Sequence, residues 1–129
     1  MKETEDIYQI VEEIVQKDDR YKVEAYLFVL AALKYSLKKL KRSRQLTGED
    51  LLEGIKQLGI EQYGPTTRMV FEHWGVKTTE DFGRVVFNMV DAGLLRKTEE
   101  DSIEDFKGVF DFREEFDKKF KFRIDKDSL

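Results

Sequence analysis

Residues 47–112 constrain the fold most, because their stop and start signals come in a fixed order. Thr47 reads as an N-cap, and Asp50 three residues on makes an imperfect capping box. Leu51, Leu52, Ile55 and Leu58 then supply the apolar face of a helix. Gly64-Pro65 ends that helix and opens the next, since proline is tolerated at a first helical position. A short helix carrying Met69, Val70 and Trp74 stops at Gly75, which reads as a left-handed cap. Thr78 or Thr79 caps a further helix, in which Phe82, Val85, Val86, Met89 and Val90 form one apolar face that ends at Gly93. Residues 94–98 and 106–112 read as two strands around the loop 99–105, with Phe106, Gly108, Phe110 and Phe112 on one face by period two.

Helix, turn, helix, turn, helix and hairpin in that order predict a winged-helix-like unit. Two helices precede it. In the first, over residues 4–17, Ile7, Ile10, Val11, Ile14 and Val15 hold one apolar face. Asp18-Asp19-Arg20 breaks the pattern. The second, over residues 21–42, spaces Val23, Tyr26, Leu30, Leu33, Leu37 and Leu40 like a heptad seam. Its first half is apolar nearly all round (Leu27, Phe28, Val29, Ala31, Ala32), which predicts a place at the centre of the core. The expected fold is mostly α with a small β-hairpin: a helical pair at 1–46 packed on a winged-helix-like unit at 47–112. A C-terminal extension at 113–129 reads either as a helix (Phe112, Phe116, Phe120) or as a strand (Phe120, Phe122, Ile124). No Gly/Ser or Pro-rich linker and no repeat divides the chain, so 1–129 reads as one domain.

At 129 residues, 40% of them hydrophobic and ten of them Phe, the chain has ample core material and does not have the composition of a disordered segment. Cys is absent, which removes disulfides and thiolate metal sites from consideration. Charged residues reach 39%, while Asn and Pro occur once each, a balance expected of a thermophile protein. The N-terminus is charged, and the apolar run at 26–33 is far shorter than the roughly 20 residues that cross a bilayer. The expectation is a cytoplasmic protein with no membrane contact.

Net charge is only −4, but it is segregated. Residues 1–20 hold three basic and seven acidic groups, residues 21–46 seven and one, and residues 78–111 four and nine. That distribution sets the fold against its commonest use. A winged helix would read nucleic acid with residues 78–92, whose outward face is Asp81, Arg84, Asn88 and Asp91. The wing tip at 99–105 adds five more acids. Affinity for nucleic acid comes largely from neutralising phosphates, and these surfaces repel them. The basic stretch at 34–44 is the better candidate for an anionic partner, through Lys34, Lys38, Lys39, Lys41, Arg42 and Arg44. Its other reading is a solvated face paired with acidic segments of the same molecule.

Catalytic and cofactor signals are weak. His73 is the only histidine and sits beside Trp74, which reads as a satisfied structural residue rather than a base. Acidic loop 99–105 lacks the ligand spacing of an EF-hand. No cofactor is expected. Glu24 is the only acid among residues 21–46, and its apolar neighbours predict a buried carboxylate paired with Arg68 or a tyrosine hydroxyl, or else a first-turn helix acid. Six of the ten Phe lie between 106 and 122, so Phe112, Phe116, Phe120 and Phe122 read as a satellite core or as an exposed strip for a partner or a second subunit.

Several motifs carry a resemblance. They are Tyr21-x-x-Glu24-Ala25-Tyr26-x-Phe28-Val29, Leu46-Thr47-Gly48-x-x-Leu51-Leu52-Glu53-Gly54-Ile55, Tyr63-Gly64-Pro65, His73-Trp74-Gly75-Val76, Asp81-Phe82-Gly83-x-x-Val86-Phe87-Asn88 and Gly93-Leu94-Leu95. Over residues 20–116 the chain resembles a small uncharacterised bacterial family of conserved hypothetical proteins of this length. That resemblance implies no activity, cofactor or binding residues. The functional expectation is a non-enzymatic protein-binding or adaptor domain, self-associating as a homodimer or holding another protein. The alternative is a nucleic-acid binder that uses the basic 34–44 face.

Overall fold

The computed structural model describes residues 2–40, 46–95 and 103–118. Five α-helices carry the fold: α1 (Lys2–Lys17), α2 (Val23–Leu40), α3 (Gly48–Tyr63), α4 (Thr67–His73) and α5 (Thr79–Asp91). A 3-10 turn, Gly64–Thr66, leads into α4. A second 3-10 turn, Ile103–Phe106, and a π-helical turn, Arg113–Lys118, follow α5.

The local signals act as their chemistry requires. Thr47 and Asp50 form both bonds of a capping box on α3, and Thr78 and Asp81 do the same on α5. Thr79 does not cap; it is fully buried, and its hydroxyl donates to the carbonyl of Phe106 and accepts from the amide of Val109. Gly93 takes φ +83, and the amide of Leu94 reaches back to the carbonyl of Met89, closing α5.

Gly75 ends α4 with φ +94, and an ideal Cβ there would lie 2.1 Å from the carbonyl oxygen of Arg20. Only glycine fits that backbone and that approach. The neighbouring bond from the amide of Lys22 to the carbonyl of Trp74 (3.0 Å) ties the α1–α2 connection to the end of α4.

α2 is the central helix, packed on α3, α5 and α1. Ala25, Tyr26, Phe28, Val29, Ala32 and Ser36 are buried along it. α3 crosses it closely at Gly54, where an added Cβ would fall 1.7 Å from the Ser36 hydroxyl oxygen. Phe71 of α4 is fully buried at the hub of the aromatic core. Its ring lies 5.0 Å from Phe82, 5.3 Å from Phe28, 5.4 Å from Phe116, 5.6 Å from Trp74 and 5.9 Å from Phe112. Edge-on pairs such as Phe71–Phe82, at 88°, add to the area they bury.

The predicted hairpin is not formed among the described residues. Phe106 ends a 3-10 turn, Gly108 turns the chain with φ +61, and no strand is assigned between residues 106 and 112. The period-two spacing of phenylalanines has another cause: each ring anchors an irregular segment to the helices. Phe106 covers Gly83, whose Cβ would meet it at 2.7 Å, and Phe112 enters the Phe71 cluster. Leu94, expected to open the first strand, instead caps α5. The expected winged-helix-like unit is therefore not supported: the described part of residues 47–112 holds the helices α3, α4 and α5 and no wing. The extension is helical through residue 118, and the helix-or-strand ambiguity beyond it lies outside the described residues.

Candidate functional site

The outward face expected for α5 is mostly consumed within the molecule. The Asp81 carboxylate accepts from the Tyr21 hydroxyl (2.6 Å), from Arg84 Nη1 (2.9 Å) and from the amides of Lys77 and Thr78 (2.9 and 3.2 Å). Burial works to raise the carboxyl's pKa, but these donors outweigh it and hold Asp81 below the usual carboxylate range. Burial, reinforced by the Asp81 bond, pushes the Tyr21 hydroxyl up to about 12. Arg84 also bridges to Glu80 at 2.7 Å. Asn88 Nδ2 donates to Asp18 Oδ2 (3.1 Å) and to the hydroxyl of the fully buried Tyr26 (3.0 Å). Asp18 is held well below the usual range, chiefly by its hydrogen bonds from Arg20. Of the four predicted outward side chains only Asp91 stays exposed; it lines an open pocket of about 350 Å³ with Ile10, Glu13, Lys17 and Asp18 of the α1 side.

The basic candidates divide. Lys34 and Lys38 are exposed on α2 and have no hydrogen bond or ion pair among the described residues. Lys39 donates to the Tyr35 hydroxyl (3.3 Å), which in turn donates to Glu61. Lys41, Arg42 and Arg44 lie outside the described residues. Pairing of Lys34 and Lys38 with acidic segments of the same chain is thus not seen among the described residues.

Phe112 and Phe116, the two described aromatic candidates, do not form an exposed strip. Phe112 and Phe116 are 4% and 0% exposed and pack against Phe71, so they are core; Phe120 and Phe122 lie outside the described residues. Glu24 is exposed, while Arg68 instead binds Glu72 (2.9 Å) and Asp117 (2.6 Å). The Glu24 pairing is therefore wrong: its side chain points away from the arc that Ala25 and Tyr26 bury. His73 is exposed in the last turn of α4, and Met69, one turn before it, is 69% exposed.

A different surface emerges on the first two helices. Leu27, Ala31, Lys34 and Lys38 recur at steps of four, three and four, and all are exposed along one stripe of α2. The sequence placed Leu27 and Ala31 in the core, but the buried arc of α2 runs through Ala25, Phe28, Val29, Ala32 and Ser36 and leaves them outside.

On α1, the flank carrying Ile10, Glu13 and Lys17 turns toward α5 and lines the open pocket. The opposite flank holds Tyr8, Glu12 and Val15, of which Tyr8 and Glu12 are exposed. Tyr8 at 47% and Leu27 at 36% are two of the large hydrophobic side chains left exposed. Tyr8 carried no sequence signal of function. It stands at the edge of the amphipathic α1 pattern, between Val15 and Glu12.

The Ser36–Gly54 crossing floors a second open groove of about 250 Å³, with Tyr35, Lys39, Asp50, Glu53 and Gln57 around it. The Ser36 hydroxyl has no hydrogen-bond partner among the described residues, but it is closed off against Gly54 and does not reach the groove's solvent. Among the described residues no group of three or more His, Cys, Asp or Glu is placed to hold a metal ion, and no helix is long and apolar enough to cross a membrane. Comparison with protein-family models, with curated proteins and with solved structures returns no match.

Proposed function

We propose that this protein is a binding module, not an enzyme, and that it holds a protein partner on the outward face of the α1–α2 hairpin. The observation that carries this reading is the exposure of Leu27 and Ala31 on one stripe of α2 with Lys34 and Lys38, which have no partner among the described residues, together with exposed Tyr8 on the neighbouring α1. An apolar centre framed by charge is the usual anatomy of a protein contact surface. The polar groups that do converge elsewhere, around Asp81 and Asn88, are spent on holding helices together.

A photo-crosslinking side chain placed at Ala31, with the same group at Asp91 as control, tests the reading in cells. Protein adducts formed from Ala31 and not from Asp91 are expected. Adducts that form equally from both positions, or from neither, refute it.

The exposed Lys34, Lys38 and Lys39 support a second reading, in which the same end of α2 meets a nucleic-acid backbone. A gel shift that weakens with salt and is lost in Lys34→Glu/Lys38→Glu is its signature. Without such a shift in the wild type the second reading falls.

A further inference from the structure

We infer that the partner of the hairpin face is an amphipathic helix of another protein, seated antiparallel on α2 with acidic side chains over Lys34 and Lys38 and apolar ones over Ala31 and Leu27. This rests on the hairpin being the contact surface and goes further by naming the chemistry and direction of what it holds.

The stripe changes character along its length. From the first turn of α2 to the last it runs Glu24, Leu27, Ala31, Lys34 and Lys38, all exposed. Lys34 and Lys38 stand four residues apart, so they are neighbours on the helix surface and repel each other. Neither has a hydrogen bond or ion pair among the described residues to relieve that repulsion. Lys38 suits the negative end of α2's own dipole, but Lys34 lies a full turn further in, where that field has faded. An acidic partner answers both cations at once.

The other half of the stripe decides between acidic partners. A phosphate backbone is held by cations, and Leu27 and Ala31 offer it none over the two turns before Lys34. A helix that carries apolar side chains ahead of its acids covers both halves. Ala31, with only a methyl group, lets the opposing helix approach closely.

Direction follows from helix dipoles. Acids favour the first turn of a helix, as Glu49 and Asp50 of α3 and Glu80 and Asp81 of α5 show in this chain. Antiparallel docking lays such an acidic first turn over the basic end of α2. Opposite Lys38, Lys34, Ala31, Leu27 and Glu24, the partner then carries acids at i and i+4, apolar side chains at i+7 and i+11, and a base at i+14. No stretch of this chain has acids and apolar side chains at that spacing, so another protein supplies it. The seam from Glu24 to Lys38 is about 21 Å long, which makes a small, reversible contact. Its exposed charges select the partner and its direction more than they add affinity.

The probe is an Ala-rich helical peptide with Glu, Glu, Leu, Leu and Lys at those five positions, titrated to about 2 mM into the isotope-labelled full chain. The expected result is saturable amide shifts over residues 24–38 that weaken with salt. Lys34→Glu/Lys38→Glu weakens binding by about tenfold, and a peptide with Lys for its two Glu binds that variant better than it binds the wild type. Both substitutions alter exposed side chains, and far-UV circular dichroism checks that the fold is intact. A spin label on the peptide's N-terminus broadens amides around Lys38 and not around Glu24. No shifts at the highest concentration, shifts undiminished in the lysine variant, or broadening around Glu24 overturns the inference. Shifts of the same amides on concentrating the protein alone assign the face to a second copy, and shifts caused by a nucleic-acid duplex but not by the peptide assign it to phosphate; either overturns it. Ala31 adducts in cells that persist in Lys34→Glu/Lys38→Glu sink this inference and leave the hairpin reading standing, whereas loss of Ala31 adducts from the wild type sinks both.

Discussion

Asn88→Ala probes whether the outer side of α5 is occupied by the fold itself. Asn88 supplies the donor to the hydroxyl of Tyr26, a residue with no exposed surface, and a second donor to Asp18. Leaving a buried hydroxyl without its partner costs about 1–3 kcal/mol. The Asp18 bond adds less, about 0.5–1 kcal/mol, because that side chain is 23% exposed and keeps Arg20. The expected loss is about 2–3 kcal/mol, which lowers Tm by about 10 °C for a chain of this size.

Tyr26→Phe removes the hydroxyl together with its need and should cost only about 1 kcal/mol. In the double variant the two losses should fall short of their sum by about 1 kcal/mol. Urea unfolding of the four proteins at pH 7, with the slopes compared to confirm two-state behaviour, gives the cycle. A loss below about 0.5 kcal/mol for Asn88→Ala is a surface value and refutes the reasoning. The α5 face would then be free, and the case against its use in recognition would lose its structural half.

Two further outcomes follow from the same geometry. Gly75→Ala must hold φ +94 and displace the Arg20 carbonyl, so it should lose about 3 kcal/mol or more by the same unfolding assay; a near-neutral result would mean that the α1–α2 connection does not sit against the end of α4. Asp18 and Asp81 have native pKa values held below their unfolded values, so the native state binds fewer protons there. Their stabilisation is present above about pH 4 and is lost as pH falls through the native values. Unfolding free energies measured between about pH 7 and about pH 2 should decline below pH 4, and Asp81→Asn should flatten part of that decline.

Much of the backbone plan is legible in the chain because it depends on local chemistry. Thr47-x-x-Asp50 and Thr78-x-x-Asp81 close capping boxes, Gly75 and Gly93 take positive φ, and Phe82, Val85 and Met89 bury the face their spacing assigns. What escapes the sequence depends on long-range packing. Alternation at residues 106–112 looks like a strand, yet those rings are placed by Gly83 and by Phe71, both distant in sequence.

A helix that is apolar all round gives no hint of which arc is covered, so Leu27 and Ala31 read as core although α2 turns them outward. Asn88 looks free to read bases, but its partners Asp18 and Tyr26 arrive from residues 1–46, and Arg84 is held by Glu80 and by Asp81, the carboxylate that Tyr21 also bonds. The acidic outer face of α5 was legible as a poor phosphate surface. That it also serves as an internal clasp was not.

The most direct test of the hairpin face is the amide NMR spectrum of the labelled protein with and without the protein captured by the Ala31 crosslinker. Shifts confined to residues around Tyr8, Glu12, Leu27, Ala31, Lys34 and Lys38 are the predicted result. Shifts centred instead on Arg84 and Asp91 of α5, or a spectrum unchanged by the captured protein, would contradict it.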